Sequence, residues 1–500
     1  MSKATAQVFD AAASRAIDAH AIAALATSGY TLMQRAADAA FACLLQNFPG
    51  IKFAAICCGK GNNAGDAYLV ARLAHQYGIN TQVLAVVAPA DLQGDADHAC
   101  RDALAVGVSV TTDPDSFWAA LAAAGSPLVF VDGLLGTGLN GAPRGDIATC
   151  IDNINDHAGQ HGSGVLSIDI PSGVSADSGA VVAQAVRAAV TLSFITQKIG
   201  LFTGQGISYA GLRLFDNLGV PDEMYVADGV PLLHWDAEVL PALDANTYKH
   251  RQGHVVVAGG DLSMPGAVAM AAEAALRVGA GMVSVVTRAQ HALAIVARTP
   301  EVMVQDLDAA ADVMARADLI VLGPGLGRSD WSRALYELAE KCDKPTVLDA
   351  DGLYWLAQNG VWRGGELIIT PHAAEAARLL ACSVEQIQQN RCAVCDDLRQ
   401  RYQCQGVLKG AGSVVFSESG LVICAHGNAG MASAGMGDVL SGVLGGLLAS
   451  QPTDNMAAMV RAGVALHSAA ADVAVAGIGE RSLIATDVTA ALPGLLRGGS

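Results

Sequence analysis

Charge is scarce in this sequence, 15% of residues against 52% apolar, and it leans acidic, with 47 Asp and Glu against 30 Lys and Arg and a formal net charge of −17. Broad contact with a nucleic-acid backbone or an anionic membrane needs clustered cations, so both are excluded as partners; small ligands and local ion sites fit better. Long apolar runs are also missing. No segment reaches roughly 18 residues without a Gly or a charge, and Met1 to Asp10 carry neither the basic flank nor the apolar stretch of a secretory signal. A soluble, cytoplasmic protein is expected. A cysteine framework is lacking too: the eleven Cys are odd in number, and Cys57, Cys150 and Cys424 lie inside or beside apolar runs where a reduced thiol packs as a small hydrophobe. The one CxxC, Cys392 and Cys395 with Cys404 nearby, has no second pair or His at zinc spacing, and Arg391 to Arg401 reads as helix.

Glycine is abundant instead, 55 residues in short bursts between apolar runs, the distribution of tight loops rather than of a fibrous repeat. A chain of 500 residues is too long for one ordinary domain. From Ile51 onward strand-length runs (AAICC, TQVLAVVA, LVFVD, VLSIDI, AVTLSFI) alternate with helical patterns such as Ala67 to Tyr77, which implies a parallel sheet covered on both faces. The periodicity breaks across Val220 to Asn246, with three prolines and several acids, and a second βα series starts at HVVVAGG and runs through MVSVV, LIVLG, TVLDA, ELIIT, GVLKG and VVF. The expected organisation is an α/β domain over 1–220, a linker over 221–245 and a second α/β domain over 246–500.

Three loops of the first half follow predicted strands, at the edge where open parallel sheets bind ligands. Gly59 to Asp66 (GKGNNAGD) leads from a strand into a helix and suits a phosphate-bearing guest. Val131 to Gly141 (VDGLLGTGLNG) and Ser167 to Gly173 (SIDIPSG) each end a strand on a carboxylate, Asp132 and Asp169. Taken singly, such a loop is more often a turn and such an Asp a cap. The triple set Asn-Asn-x-Gly-Asp, Gly-Thr-Gly-Leu-x-Gly and Asp-Ile-Pro-Ser-Gly, in this order, resembles the N-terminal domain of the NAD(P)H-hydrate epimerases over roughly the first 220 residues. That resemblance assigns Asn62, Asn63, Ala64, Gly65, Asp66, Gly136, Thr137, Gly138, Leu139, Asn140, Gly141 and Ala142 to the hydrated dinucleotide (NADHX or NADPHX), and Asn63, Asp132 and Ser172 to potassium. It makes Asp169 both a ligand contact and the acid/base, since inverting a hemiaminal carbon requires proton movement. Ala64 departs from the usual glycine and would be strained in a left-handed conformation; Lys60 departs from a proline-like residue.

In the second half, Gly427 to Asp438 (GNAGMASAGMGD) runs into a helical segment, Val439 to Ala449, so amides and the positive helix end point at an anion with Asp438 beside it. A carboxylate there can take the proton of a hydroxyl attacking phosphorus. GPGLG at Gly323 to Gly327, Thr370-Pro371-His372 with Glu375, and KGAGS at Lys409 to Ser413 also follow strands. Together these resemble the ribokinase-like superfamily and, within it, the ADP-dependent NAD(P)H-hydrate dehydratases, over about Asn246 to Leu496. The resemblance assigns Ala267, Gly327, His372 and Asp438 to the hydrate, and Lys409, Gly410, Ala411, Gly412, Ser413 and Gly437 to ADP, with Asp438 as general base and magnesium as the companion of the nucleotide. By residue type alone His372 also reads as a packed core histidine, and Asp349 and Asp351 either assist magnesium or shape a turn.

The expected fold is two three-layer α/β/α domains, the first Rossmann-like and the second ribokinase-like, in a homo-oligomer. The expected function is epimerisation of the R and S hydrates and dehydration of the S form, ADP becoming AMP and phosphate. An alternative reading makes the second domain a vitamin or thiazole kinase and the first a non-catalytic binding module; the joint presence of Asn63, Asp132 and Asp169 speaks against a degenerate first site.

Overall fold

The computed structural model describes residues 2–124, 127–139, 141–240, 244–450 and 455–497. Contacts divide the chain into two units, Met1–Pro231 and Leu232–Ser500. In the first, strands β1 (Phe53–Cys58), β2 (Asn80–Ala85), β3 (Ser109–Thr111), β4 (Leu128–Gly133), β5 (Gly164–Ile168), β6 (Val190–Phe194) and β7 (Leu212–Asp216) form one sheet in the order β3-β2-β1-β4-β5-β6-β7, every pair parallel. This is Rossmann-like order, and its direction reverses between β1 and β4.

The pleat sorts the core. Ala54, Ile56 and Cys58 of β1 pack with Leu32, Met33, Tyr68 and Leu69 from helices Gly29–Asn47 and Asn62–Tyr77. Ala55 and Cys57 face the other side with Phe117 and Ile151 of helices Pro114–Ala124 and Gly145–His161. Both faces of the strand are therefore dry, which is why the run AAICC does not alternate with polar residues. Each large apolar side chain so buried contributes about 1.5–3 kcal/mol. The helix expected from Ala67 starts earlier, at Asn62, with Gly61 as its cap. Ala64 is thus helical and is not among the residues with positive φ, which removes the strain its sequence position raised. Gly65 has a packing role: a Cβ there would come within 2.6 Å of the Met33 side chain, so its absence lets the two helices meet.

The second unit is built on β8 (His254–Ala258), β9 (Met282–Val286), β10 (Met303–Gln305), β11 (Leu319–Leu322), β12 (Thr346–Leu348), β13 (Leu367–Ile369), β14 (Gln405–Leu408), β15 (Val414–Ser417) and β16 (Gly420–Cys424). Their order is β16-β15-β14-β13-β12-β11-β8-β9-β10, parallel from β14 to β10, with β15 and β16 joined antiparallel beyond β14. Here the order reverses between β8 and β11. Val255, Val257, Val283, Val285, Leu319 and Val321 pack with Val268 of helix Pro265–Arg277 and Leu440 and Leu444 of helix Met436–Ala449. Helix Met456–Ile478 is long and apolar enough to cross a membrane by length and composition, yet contains Arg461, His467 and Asp472 and buries most of its surface inside this unit. The CxxC lies on helix Arg391–Tyr402, and all eleven thiols are free.

Candidate active sites

The first site opens at the β1/β4 switch point as a cleft of about 590 Å³. Asn62, Asn63 and Asp66 line it from the first turns of their helix, Gly136, Thr137, Gly138 and Leu139 from the loop after β4, and Asp169 from the end of β5. Ala64 and Gly65 are buried behind that lining, Gly141 and Ala142 lie outside it, and Asn140 is outside the described residues. Asp132 and Ser172 sit under the loop rather than on the cleft wall. Asp132 is fully buried and accepts from Ser172 Oγ (2.5 Å), Ser167 Oγ (2.8 Å), the Ser172 amide (2.9 Å) and the Leu134 amide (3.3 Å). Burial nevertheless leaves its carboxyl above the usual range. Ser172 Oγ also accepts from the Leu135 amide (2.8 Å), and Asn63 Nδ2 donates to the Leu135 carbonyl (2.8 Å). These bonds fix the start of the glycine loop, while the buried Asn63 Oδ1 has no partner.

Asp169 adopts φ 66°, outside the ordinary strand and helix regions, and two neighbours hold it there. Ser193 Oγ donates to its carbonyl (2.6 Å) and the Phe194 amide to its carboxylate (3.1 Å). Its principal partner escaped the sequence reading: Lys198, 3% exposed, bonds the Asp169 carboxylate and donates to the carbonyls of Phe194 (3.0 Å) and Thr196 (2.9 Å). A lone lysine inside the apolar stretch after β6 was the available signal. Asp18 also lines the cleft, from helix Ala11–Ala24, and no motif pointed to it.

The second site is a buried ion cluster at the carboxyl ends of β12, β13 and β14. Gly323 makes it possible: with φ 132°, a Cβ there would fall 1.8 Å from the Asp349 carbonyl, so only glycine lets the two loops touch. Lys409 Nζ lies 2.6 Å from Asp349 and 3.8 Å from Glu375. Thr370 Oγ1 (2.7 Å) and Ser441 Oγ (2.9 Å) also donate to Asp349. Against the upward push of burial, Lys409 and these hydroxyls hold Asp349 below the usual carboxylate range. Burial alone would lower Lys409, but Asp349 and Glu375 outweigh it and hold the ammonium above its usual range.

Two carboxyls close to this pair behave differently. Asp438, in the first turn of helix Met436–Ala449, is pushed up to about 7 by burial and by Asp349, with Lys409 opposing. Glu375 is likewise pushed up to about 7, chiefly by burial. Gly437 keeps space open here, since a Cβ would lie 3.1 Å from Lys409 Nζ. His372 is not a core histidine: it is exposed and caps helix Ala373–Leu380, Nδ1 accepting from the Ala374 (3.1 Å) and Glu375 (3.3 Å) amides. Asp349, left unassigned by its motif, is the hub of the cluster.

The loops after β8 and β11 form the adjoining edge. Gly327 donates through its amide to Asp351 (3.1 Å) and abuts Asp261, and Ala267 lies against Gly325 at the start of helix Pro265–Arg277. Asp261 pairs with Arg288 (2.7 Å) and accepts from Ser329 Oγ (2.6 Å). Lys409, Gly410, Ala411, Gly412 and Ser413 span the turn between β14 and β15, with the guanidinium of the buried Arg391 donating to the Leu408 (3.0 Å) and Lys409 (3.3 Å) carbonyls beneath it.

Two sheet-edge sites, each with carboxylates beside glycine loops at the carboxyl ends of parallel strands, have the placement of active sites in a fusion of two α/β enzymes. Residues 29–200 match the family model of the YjeF-related protein N-terminus, and residues 255–493 that of NAD(P)H-hydrate dehydratase. The chain is 41% identical over 474 residues to the bifunctional NAD(P)H-hydrate repair enzyme Nnr of Coxiella burnetii, covering 92% of this chain and 93% of that one. It is 40% identical over 470 residues to the Escherichia coli protein of the same name, covering 93% and 88%. A crystal structure of the ADP/ATP-dependent NAD(P)H-hydrate dehydratase from Bacillus subtilis, co-crystallised with ATP and magnesium, is 28% identical at a TM-score of 0.49 and covers 54% of this chain and 99% of that one. The chain belongs to the bifunctional NAD(P)H-hydrate repair enzymes, its first domain Rossmann-like and its second ribokinase-like.

Proposed function

We propose that this enzyme restores hydrated nicotinamide dinucleotides. The domain over 1–220 interconverts the R and S forms of NADHX and NADPHX, and the domain over 246–500 dehydrates the S form to NADH or NADPH while ADP becomes AMP and phosphate. The observation that carries the reading is the placement of Asp438 in the first turn of helix Met436–Ala449 beside the buried Lys409–Asp349 pair, with its own carboxyl raised to about 7. A base titrating near neutrality can take up a proton at the moment of reaction and release it afterwards.

In the second domain Asp438 accepts the proton of the substrate hydroxyl as its oxygen attacks the terminal phosphorus of ADP. Phosphate then departs with the C–O electron pair, the neighbouring ring carbon gives up a proton to solvent, and the C=C bond so formed restores the dihydropyridine. Lys409 to Ser413 and Gly437 would hold the adenine nucleotide, and Ala267, Gly327 and His372 the hydrate. Magnesium, when bound with the nucleotide, would shield the charge of its phosphates.

In the first domain Asn62 to Asp66 and Gly136 to Ala142 would embrace the dinucleotide, with Asp169 exchanging protons at the hydrated carbon. The residues present fit a potassium ion: Asp132 is a buried carboxylate with no basic partner among the described residues, and Asn63 Oδ1 is a buried oxygen without a donor. Asn63, Asp132 and Ser172 would hold it, and when bound it supplies positive charge beneath the glycine loop. A soluble, cytoplasmic homo-oligomer completes the reading.

The test is recovery of the reduced-nicotinamide absorbance band from mixed epimers with ADP and magnesium. Wild type should recover all of it, Asp169→Ala should stall at the rate of spontaneous epimerisation, and Asp438→Ala should recover none. No recovery by wild type with ADP or ATP refutes the reading.

A further inference from the structure

The cleft of the first domain holds more proton-exchanging groups than Asp169. Asp18 faces it from helix Ala11–Ala24, one helical turn beyond Ser14, which also lines it. Ser14 Oγ is bonded to Thr196 Oγ1 (2.7 Å), and the Thr196 carbonyl accepts from Lys198 Nζ. Just before this helix, Phe9 exchanges backbone hydrogen bonds with both neighbours of Lys198, its amide donating to Gln197 (2.8 Å) and its carbonyl accepting from Ile199 (3.0 Å). The helix that carries Asp18 is therefore clamped to the loop whose lysine grips Asp169. The two carboxyls approach from different elements and stand close enough for each other's charge to act.

We propose that Asp18 is the second acid/base group of the epimerising site, giving a proton to the hydroxyl that leaves while Asp169 receives one from the water that returns. The proposal rests on the reading of the first domain as the epimerase. In balanced form, the Asp18 carboxyl protonates the hydroxyl on the hydrated carbon. The C–O bond breaks with its electron pair on oxygen, water departs, and the ring-nitrogen lone pair forms a C=N bond. Water adds to the other face, the C=N pair returns to nitrogen, and Asp169 takes the surplus proton. That proton passes back to Asp18 through the cleft, and the site is restored. Lys198 is a positioning residue: its bonds to two carbonyls and to Asp169 use all three ammonium hydrogens.

Burial raises Asp18 to about 6, with Lys198 lowering and Asp169 raising it. Asp66 faces the same cleft, Tyr225 lies near, and the turn Asp222–Met224 packed on its helix brings Asp222 and Glu223. Because the acid form of Asp18 is the reactive one, kcat for epimerisation should fall as pH rises through its ionisation.

The experiment follows interconversion of a purified hydrate epimer by chromatography, without ADP, across pH, for wild type, Asp18→Asn, Asp18→Glu and Asp66→Asn. Expected are a kcat loss of about 100-fold or more in Asp18→Asn with KM little changed, loss of the descending limb in that variant, and its retention in Asp18→Glu. A wild-type profile without a descending limb, an Asp18→Asn profile that keeps it, or its loss in Asp66→Asn instead overturns the proposal. Failure of wild type to epimerise at all would overturn the epimerase reading itself, a distinct result.

Discussion

Replacing Asp438 with Asn should remove activity and add stability, the second effect only at neutral and alkaline pH. The carboxyl titrates at about 7 in the folded domain against an ordinary 3.8. Between those values the folded form binds a proton that the unfolded chain has released, so stability falls as pH rises from about 4 to about 7. A shift of about 3 units at roughly 1.36 kcal/mol each bounds the penalty at about 4 kcal/mol. Asp438 keeps partial contact with solvent and shares its field with Asp349 and Lys409, so about half, or about 2 kcal/mol, is the working figure. For a domain of this size that corresponds to a Tm gain of roughly 4–8 °C at about pH 8, shrinking to nothing near pH 4. Calorimetry of the ligand-free protein reads the gain, and recovery of the reduced-nicotinamide band reads the kcat loss, about 10²–10⁴-fold. An unchanged or lower Tm at pH 8, or an equal gain at pH 4, would refute the assignment of a raised carboxyl at this position.

Lys409→Met leaves Asp349 buried without its cation and should cost about 3–5 kcal/mol, seen as a lower denaturant midpoint for the second domain; an unchanged midpoint contradicts the pairing. Asp132→Asn should abolish any difference in epimerisation rate between potassium and lithium buffers, with wild type faster in potassium. His467 is buried, its Nε2 lacks a partner, and burial lowers it to about 4. Its folded pKa lies below its unfolded value, so it withdraws up to about 3 kcal/mol of stability as pH falls from about 6.5 to about 4. Urea titrations of His467→Gln should show a shallower acid limb than wild type.

The central strands were legible because burial on both faces leaves an uninterrupted apolar run, as in AAICC and HVVVA. Ser109–Thr111 and Met303–Gln305 were not, being three-residue edge strands with part-exposed side chains. The glycine loops announced which sheet edges carry the cleft and the ion cluster, since close backbone approach, as at Gly323, restricts such positions to one residue type. Partners that arrive through tertiary folding left no such mark. Asp349 stood in a noticed motif, but its role depends on Thr370, Lys409 and Ser441, 21, 60 and 92 residues away. Lys198 reaches Asp169, and Asp18 the same cleft, from different elements, which no local pattern encodes. His372 shows the converse: residue type alone left burial open, while its place before Ala373–Leu380 made it an exposed cap.

The eleven free thiols have a practical side. Burial raises Cys43, Cys58, Cys100, Cys342, Cys392, Cys395, Cys404 and Cys424 above the ordinary thiol range, and the neighbouring Cys150 together with burial raises Cys57, so the nucleophilic thiolate is scarce at these positions near neutral pH. A maleimide added to the native protein should therefore spare most of its thiols, and a single cysteine introduced on an exposed helix could be labelled once the part-exposed Cys382, outside this set, is replaced.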